Sequence, residues 1–188
     1  QVKVVSAKKA CSVEVLSCEK NNRESSLNLT LAQGIAKGEK MDFLIQKAIE
    51  LGVNRIIPVQ TERCVVRLNG AKLIKRTEHW QKIASHACEQ SGRSVVVEVA
   101  PAKTLSEVLA ETVGSGYVLH HRAEEGLLAM KKTSKVTILI GPEGGLSDVE
   151  IDEAIASDFQ PLLLGNRILR TETASLAAIA NMQLLWGS

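Results

Sequence analysis

Two glycine-marked stretches hold the residue types and spacings best suited to binding a small ligand. The first, Ile140-Gly141-Pro142-Glu143-Gly144-Gly145-Leu146, follows Val136–Ile140, which has the pattern of a buried strand. Ser147 and Glu150 then make a Ser-x-x-Glu capping box that opens a helix. The second, Gly165 through Arg170 to Thr173, follows the apolar run Leu162–Leu164 and leads into a long apolar segment. Each loop therefore joins a strand end to a helix start. Backbone N–H groups are unpaired there, and open α/β sheets bind ligands at that end. Ordinary strand-to-helix turns use glycine in the same way, so the pattern alone leaves both readings open. No Gly-Lys-Ser/Thr follows the first loop, and G-x-G-x-x-G is absent from it.

The elements that must position these loops read as α/β. Val2, Val4, Val13 and Val15 alternate around Lys8-Lys9 as a hairpin, followed by a polar linker over residues 19–26. Leu27, Leu29 and Leu31 alternate in a strand ending near Gly34. Met41, Leu44, Ile45, Ala48 and Ile49 follow helical spacing, closed by Gly52 at C′. Ile56–Val59 is a short strand. A second helix puts Trp80, Ile83, Ala84, Ala87 and Cys88 on one face, and further strands fall at 95–99, 117–120 and 136–140. Helix-like segments lie near 104–112 and 124–131. This alternation predicts a mostly parallel sheet with helices on both faces, joined by default through unknotted, right-handed connections. The last helix, 174–186, is apolar almost all round, so most of its surface needs cover from its own domain or from a second copy.

Bulk properties narrow the classes further. The chain's 188 residues can bury a substantial core as one large or two small domains, and the 45% hydrophobic content fits a globular protein. At 3% aromatic it is poorly supplied for a base-stacking platform. Cys11, Cys18, Cys64 and Cys88 show no Cys-x-x-Cys spacing, so no metal site is expected. No apolar run is long enough to cross a bilayer and no signal-peptide pattern opens the chain, which sets a reduced, cytoplasmic setting as the expectation. A net charge of +2 does not by itself argue for nucleic acid.

IGPEGGL followed by LLGNRILRTETA, with ACEQSGR at residues 87–93, is similar to the signature of the SPOUT (trefoil-knotted) RNA methyltransferases. Within them it resembles the RsmE family, which methylates uridine N3 in small-subunit (16S) ribosomal RNA. The resemblance covers nearly the whole chain. It implies a C-terminal trefoil knot in place of the unknotted default, and a homodimer formed through the last helix. It also implies that residues 1–26 are a remnant of a small PUA-like β-barrel ahead of a methyltransferase domain, 27–188. That barrel is the expected RNA-docking module, so this chain should bind cofactor better than RNA.

The resemblance further implies S-adenosylmethionine held mainly by backbone groups of three loops. They contribute Leu119 and His120; then Ile140, Gly141, Pro142, Glu143, Gly144 and Gly145; then Leu164, Gly165, Ile168, Leu169, Arg170, Thr171 and Thr173. Uridine N3 is mostly protonated at neutral pH, so a proton must leave as the methyl arrives. On this reading Glu172 takes that proton or orients the group that does, with Glu143 as the alternative base. Arg170 stabilises charge on the uracil oxygens. RNA contacts fall to Arg63, Arg67, Glu89, Gln90, Arg93 and Arg122, with Lys72, Lys75 and Arg76 adding phosphate contacts. A SPOUT enzyme with another base or ribose target, or a non-catalytic RNA-binding assembly factor, are the alternatives.

Overall fold

The computed structural model describes residues 1–7, 11–18 and 23–187. The Lys8-Lys9 turn and positions 19–22 of the linker lie outside the described residues. Strands β1 (Val2–Ala7) and β2 (Cys11–Val15) pair antiparallel with Val4 opposite Val13, as the alternation predicts. The other strands are β3 (Asn28–Gly34), β4 (Arg55–Gln60), β5 (Glu98–Val99), β6 (Lys103–Thr104), β7 (Ser115–Leu119), β8 (Lys135–Ile140) and β9 (Phe159–Leu162). They make one parallel sheet in the order β5-β4-β3-β8-β7-β9, with β6 also on β4. Helices α1 (Glu39–Glu50), α2 (Gly70–Ser91), α3 (Leu105–Glu111), α4 (Asp148–Ala156) and α5 (Thr171–Trp186) connect and cover it.

Successive residues in a strand point to opposite faces, and here both faces are apolar. Leu31, Ile56, Tyr117 and Ile138 enter one core with α1, α2 and α5. Their neighbours Ala32, Ile57, Val118 and Leu139 enter a second core with α3 and α4. Burial on both faces is what makes such strands read as continuous apolar runs.

Three expectations change in detail. The 95–99 strand shrinks to Glu98 and Val99, opposite Arg55 and Ile56, while Val95 and Val96 stay exposed. Pro101, which has no N–H, interrupts the edge before Lys103 and Thr104 rejoin β4. The helix-like segment at 124–131 is only a 3-10 turn, Leu127–Ala129. The chain just before it is engaged otherwise: Gly126 bridges Leu163, and Leu163 N–H donates to Glu125 O at 2.9 Å.

The last helix begins at Thr171 rather than Ala174, placing Glu172 and Thr173 in its first turn. One of its faces buries Ala174, Ser175, Ala178, Ile179, Met182 and Trp186, the Trp186 ring lying 5.8 Å from Tyr117. Leu184 remains 77% exposed, so only part of this apolar helix is covered by its own chain.

Candidate active site

Because β8, β7 and β9 are adjacent, the loops that follow them are neighbours in space. Residues 119–122, 140–146 and 163–171 surround a cleft of about 520 Å³, within the range of small-molecule sites. Leu119, His120, Ile140, Gly141, Pro142, Glu143, Gly144 and Gly145 all line it. So do Leu164, Gly165, Ile168, Leu169, Arg170 and Thr171, and, of the residues assigned to RNA, Arg63 and Arg122.

Glycine is needed where backbones meet. A Cβ on Gly34 would lie 2.5 Å from the Pro142 ring and nitrogen, and one on Gly141 would lie 2.7 Å from Gly145 C and Leu146 N. The second loop is thus wedged between the end of β3 and its own return. The capping box predicted at its exit is present, with Ser147 N–H donating to Glu150 Oε2 at 2.8 Å and Glu150 N–H to Ser147 Oγ at 3.3 Å. The other Glu150 oxygen accepts Glu62 N–H at 2.7 Å, tying this turn to the segment after β4.

Glu143 and Arg63 hold the same loop from outside. The Glu143 carboxylate accepts Lys37 N–H at 3.1 Å and lies 3.4 Å from Lys40 Nζ. Burial pushes its pKa up, but the N–H groups of Glu143 and Lys37 and the Lys40 ammonium outweigh it and leave it below the ordinary carboxylate value. Arg63 donates to Gly144 O and Leu146 O, both at 3.2 Å. It is committed to a loop strut, with its guanidinium at the cleft wall.

His120 follows β7, its backbone N–H donating to Leu162 O at 3.0 Å and its ring edge-on to His121. Its Nε2 is buried without a hydrogen-bond partner. Burial, then the His121 and Arg122 charges, push its pKa below the ordinary 6.5, against an opposing pull from Asp148. The folded chain therefore favours a neutral ring. Stability from this group is present above the ordinary value and is lost as pH falls through it. Between pH 6.5 and 5, the Tm of the wild type is expected to fall more steeply than that of His120→Gln. Parallel melting curves across that range would remove His120 from the argument.

Several assigned residues lie elsewhere. Thr173 is exposed on the far side of the first turn of α5, and Glu172 does not line the cleft, although its Oε2 is buried without a partner. Arg67 is exposed and donates to Glu62 O at 2.9 Å. Glu89 and Gln90 are exposed on the last turn of α2, near the segment leading into β5, at the opposite end of the sheet from the cleft. Arg93 corrects the RNA assignment. Its side chain is 8% exposed, pairs with Glu24, and donates to Ile49 O at 3.2 Å and Val53 O at 2.6 Å. Those bonds commit the guanidinium to joining α1, the linker and α2, so no face is left for a phosphate.

Lining residues that sequence reasoning passed over include Lys40, Asp148, Ile151 and Ala174. Lys40 enters from α1, and no local pattern ties it to residue 143. Ile151 and Ala174 carry only the signal of apolar helix positions. Among the described residues no His/Cys/Asp/Glu group is arranged to hold a metal, and no helix is long and apolar enough to cross a membrane.

The RNA methyltransferase domain family matches residues 23–183. The chain is 37% identical over 180 residues to the ribosomal RNA small subunit methyltransferase E of Buchnera aphidicola subsp. Schizaphis graminum, covering 93% of this chain and 73% of that protein. The structure of the same-named enzyme from Neisseria gonorrhoeae, bound to S-adenosyl methionine, matches with a TM-score of 0.91 at 40% identity, over 99% of this chain and 78% of that one. A Legionella pneumophila structure with bound SAM matches with a TM-score of 0.95 at 37% identity, over 100% and 78% of the two chains. Fold and site define a SPOUT-type RNA methyltransferase domain. Within that class, the chain belongs to the ribosomal RNA small subunit methyltransferase E (RsmE) family.

Proposed function

We propose that this protein uses S-adenosylmethionine to methylate uridine N3 in small-subunit (16S) ribosomal RNA. The observation that carries the reading is the cleft itself: three loops at the carboxyl ends of adjacent strands, with close-packed glycine backbone. Two similar structures have S-adenosylmethionine bound. The residues present suit that cofactor. Leu119, Ile140, Leu164 and Leu169 offer apolar walls for a flat base, and the backbone of 140–145 and 163–169 offers N–H and C=O groups to its polar edges. When bound, the cofactor supplies an already activated methyl group.

The chain's own residues orient the uracil and manage its proton. Alignment of the reacting atoms contributes the larger share, since positioning can be worth roughly 7–11 kcal/mol. Arg170, exposed at the start of α5, stabilises charge developing on the uracil oxygens. Glu172, next in sequence to the cleft-lining Thr171, has its Oε2 buried without a partner and is assigned the N3 proton, whereas Glu143 is already bound to Lys37 and Lys40. In this reading the C-terminal segment threads the trefoil knot. The exposed side of α5 meets a second copy in a homodimer, and the work is done in the cytoplasm. Residues 1–26 belong to a unit separate from the methyltransferase domain, 27–188.

RNA is held by Arg67, Arg122 and a basic side of α2. At about 100° per residue, Lys72, Lys75, Arg76, His79, Lys82 and His86 share one side of that helix, within an arc of about 120°. Glu78 and Glu89 fall outside it, and Asp42 of α1 takes up Arg76 and His79, which leaves the lysines to meet phosphate. The side starts near the cleft, where Arg76 donates to Gly38 O at 3.4 Å, two residues before Lys40. Replacing Lys72, Lys75 and Lys82 together by Ala is expected to make the negative slope of log affinity against log salt shallower by about 2–3, at about 0.7–0.9 per lost phosphate contact. Cofactor affinity should stay unchanged; an unchanged slope would move the RNA to another surface.

Calorimetric titration with S-adenosylmethionine, then mass spectrometry of nucleosides from treated ribosomal RNA, tests the whole reading. About one cofactor per chain and N3-methyluridine in the digest are expected. A different methylated nucleoside would assign another target, and absence of cofactor binding would overturn the proposal.

A further inference from the structure

The end of β3 carries a buried glutamine that the reaction described above does not use. Gln33 is 0% exposed. Its Nε2 donates to Gly34 O and to Thr171 Oγ1, each at 2.9 Å, with Gly141 O further away at 3.3 Å. Its Oε1 accepts from Ser175 Oγ at 2.5 Å. Thr171 Oγ1 in turn donates to Gly141 O at 2.6 Å. An amide has two N–H groups and one carbonyl oxygen, and every one of them is used here.

The partners lie on three separate pieces of chain. Gly34 ends β3, Gly141 starts the second cleft loop, and Thr171 and Ser175 form the first turns of α5, where the third loop ends. Gly141 and Thr171 both line the cleft. A leucine would fill the same space in an apolar core, and fully satisfied buried networks of this kind set one arrangement among several possible packings. Arg170, N-terminal neighbour of Thr171, caps α5 without any side-chain bond to its backbone. The Gln33 network is therefore what fixes the start of that helix against the second loop.

We propose that Gln33 is a positioning residue for the cofactor cleft, its amide setting the separation of the second and third loops. This rests on the reading of the cleft as the S-adenosylmethionine site. Glutamate has nearly the same shape but no N–H to give. In Gln33→Glu an ionised carboxylate would face Gly34 O and Gly141 O, which can only accept, and Thr171 Oγ1, whose proton is already given to Gly141 O. Protonation would restore one donor, so hydrogen-bond direction can be separated from shape.

The test measures cofactor Kd by calorimetry and single-turnover methylation at saturating cofactor for Gln33→Leu, Gln33→Glu, Ser175→Ala and the control Val53→Ala. Val53 is buried in the same core, beyond α1 and away from the cleft. Gln33→Leu is expected to raise Kd at least about tenfold and to leave the saturated rate within about threefold, since loops left loose before binding cost affinity first. Gln33→Glu should bind worst at pH 8 and regain affinity as pH is lowered to about 5.5, because burial raises the pKa of a carboxyl at this position. Val53→Ala should lower the Tm with Kd unchanged. Should Gln33→Leu fail to fold, Ser175→Ala, which removes only the hydroxyl aiming the amide, should still raise Kd about threefold.

Wild-type Kd in both Gln33→Leu and Ser175→Ala would overturn the proposal, as would equal weakening by Val53→Ala. Failure of the wild type to bind S-adenosylmethionine would instead remove the reading of the cleft beneath it.

Discussion

Replacing Glu172 by glutamine is expected to slow methyl transfer about 10²–10⁴-fold in single turnover with saturating cofactor, the size of effect that loss of a general base produces. That is about 3–5 kcal/mol of barrier, at 1.36 kcal/mol per decade. The competing account gives Glu172 only a place in the first turn of α5, where a negative charge is favoured by about 0.3–1 kcal/mol. The two differ in what they move. Loss of a helix-end charge lowers the Tm by a few degrees and leaves the saturated rate alone. Loss of the base lowers the rate even where the protein is fully folded. The unpaired, buried Oε2 favours the second, because burying an unsatisfied carboxylate oxygen costs free energy that a purely structural residue has no reason to retain.

Glu143→Gln supplies the contrast. Its carboxylate is held by Lys37 N–H and Lys40, and its lowered pKa makes it a poor proton acceptor near neutrality. The glutamine keeps an acceptor for Lys37 N–H and loses the Lys40 charge pair, so cofactor affinity should weaken a few-fold with the saturated rate little changed. A fast Glu172→Gln beside a slow Glu143→Gln would exchange the two roles.

What the chain discloses before folding follows from the range of each interaction. The second loop is legible because its constraints are local: a strand, a run of glycines, and a capping box completed within four residues. Local, too, is the Gly52 ending of α1, where φ is 94°. The core is legible in outline, since both faces of the sheet are apolar and covered.

Gln33 is hidden because its partners Thr171 and Ser175 lie 138 and 142 residues away, so it reads as a polar strand end. Arg93 misleads for the same reason. Its charge suggests solvent or phosphate, but Glu24, 69 residues earlier, and two carbonyls around the end of α1 take it into the interior. Val95 and Val96 mislead in the other direction: apolar and β-branched, they are left outside the sheet because only two residues of that segment reach β4. Apolar content marks a candidate strand, whereas pairing depends on where a neighbouring edge ends.

Gly141→Ala is expected to raise the Kd for S-adenosylmethionine about 100-fold or more, and Gly165→Ala only a few-fold, although both glycines line the same cleft. At Gly141 an added Cβ meets Gly145 C and Leu146 N at 2.7 Å, both of them backbone. No rotamer change can clear it, so the loop itself must open. Its far end is fixed by the Ser147–Glu150 box and by Arg63, which puts the displacement at the cleft side of the turn. A 100-fold loss of affinity is about 2.8 kcal/mol, the size of two or three lost hydrogen bonds at about 0.5–1.5 kcal/mol each. At Gly165 nothing lies within 4 Å of the added atom, and the only penalty is a φ of +76°. A left-handed backbone costs an L-residue roughly 1–2 kcal/mol. That strain is present with or without ligand, so it lowers the Tm more than it weakens binding. Equal loss of affinity in the two variants would sink the steric argument and make the conformation of the third loop the controlling feature. A Gly141→Ala protein that binds normally would mean the second loop is free to move, and the wedge between β3 and Leu146 would lose its part in holding the cofactor.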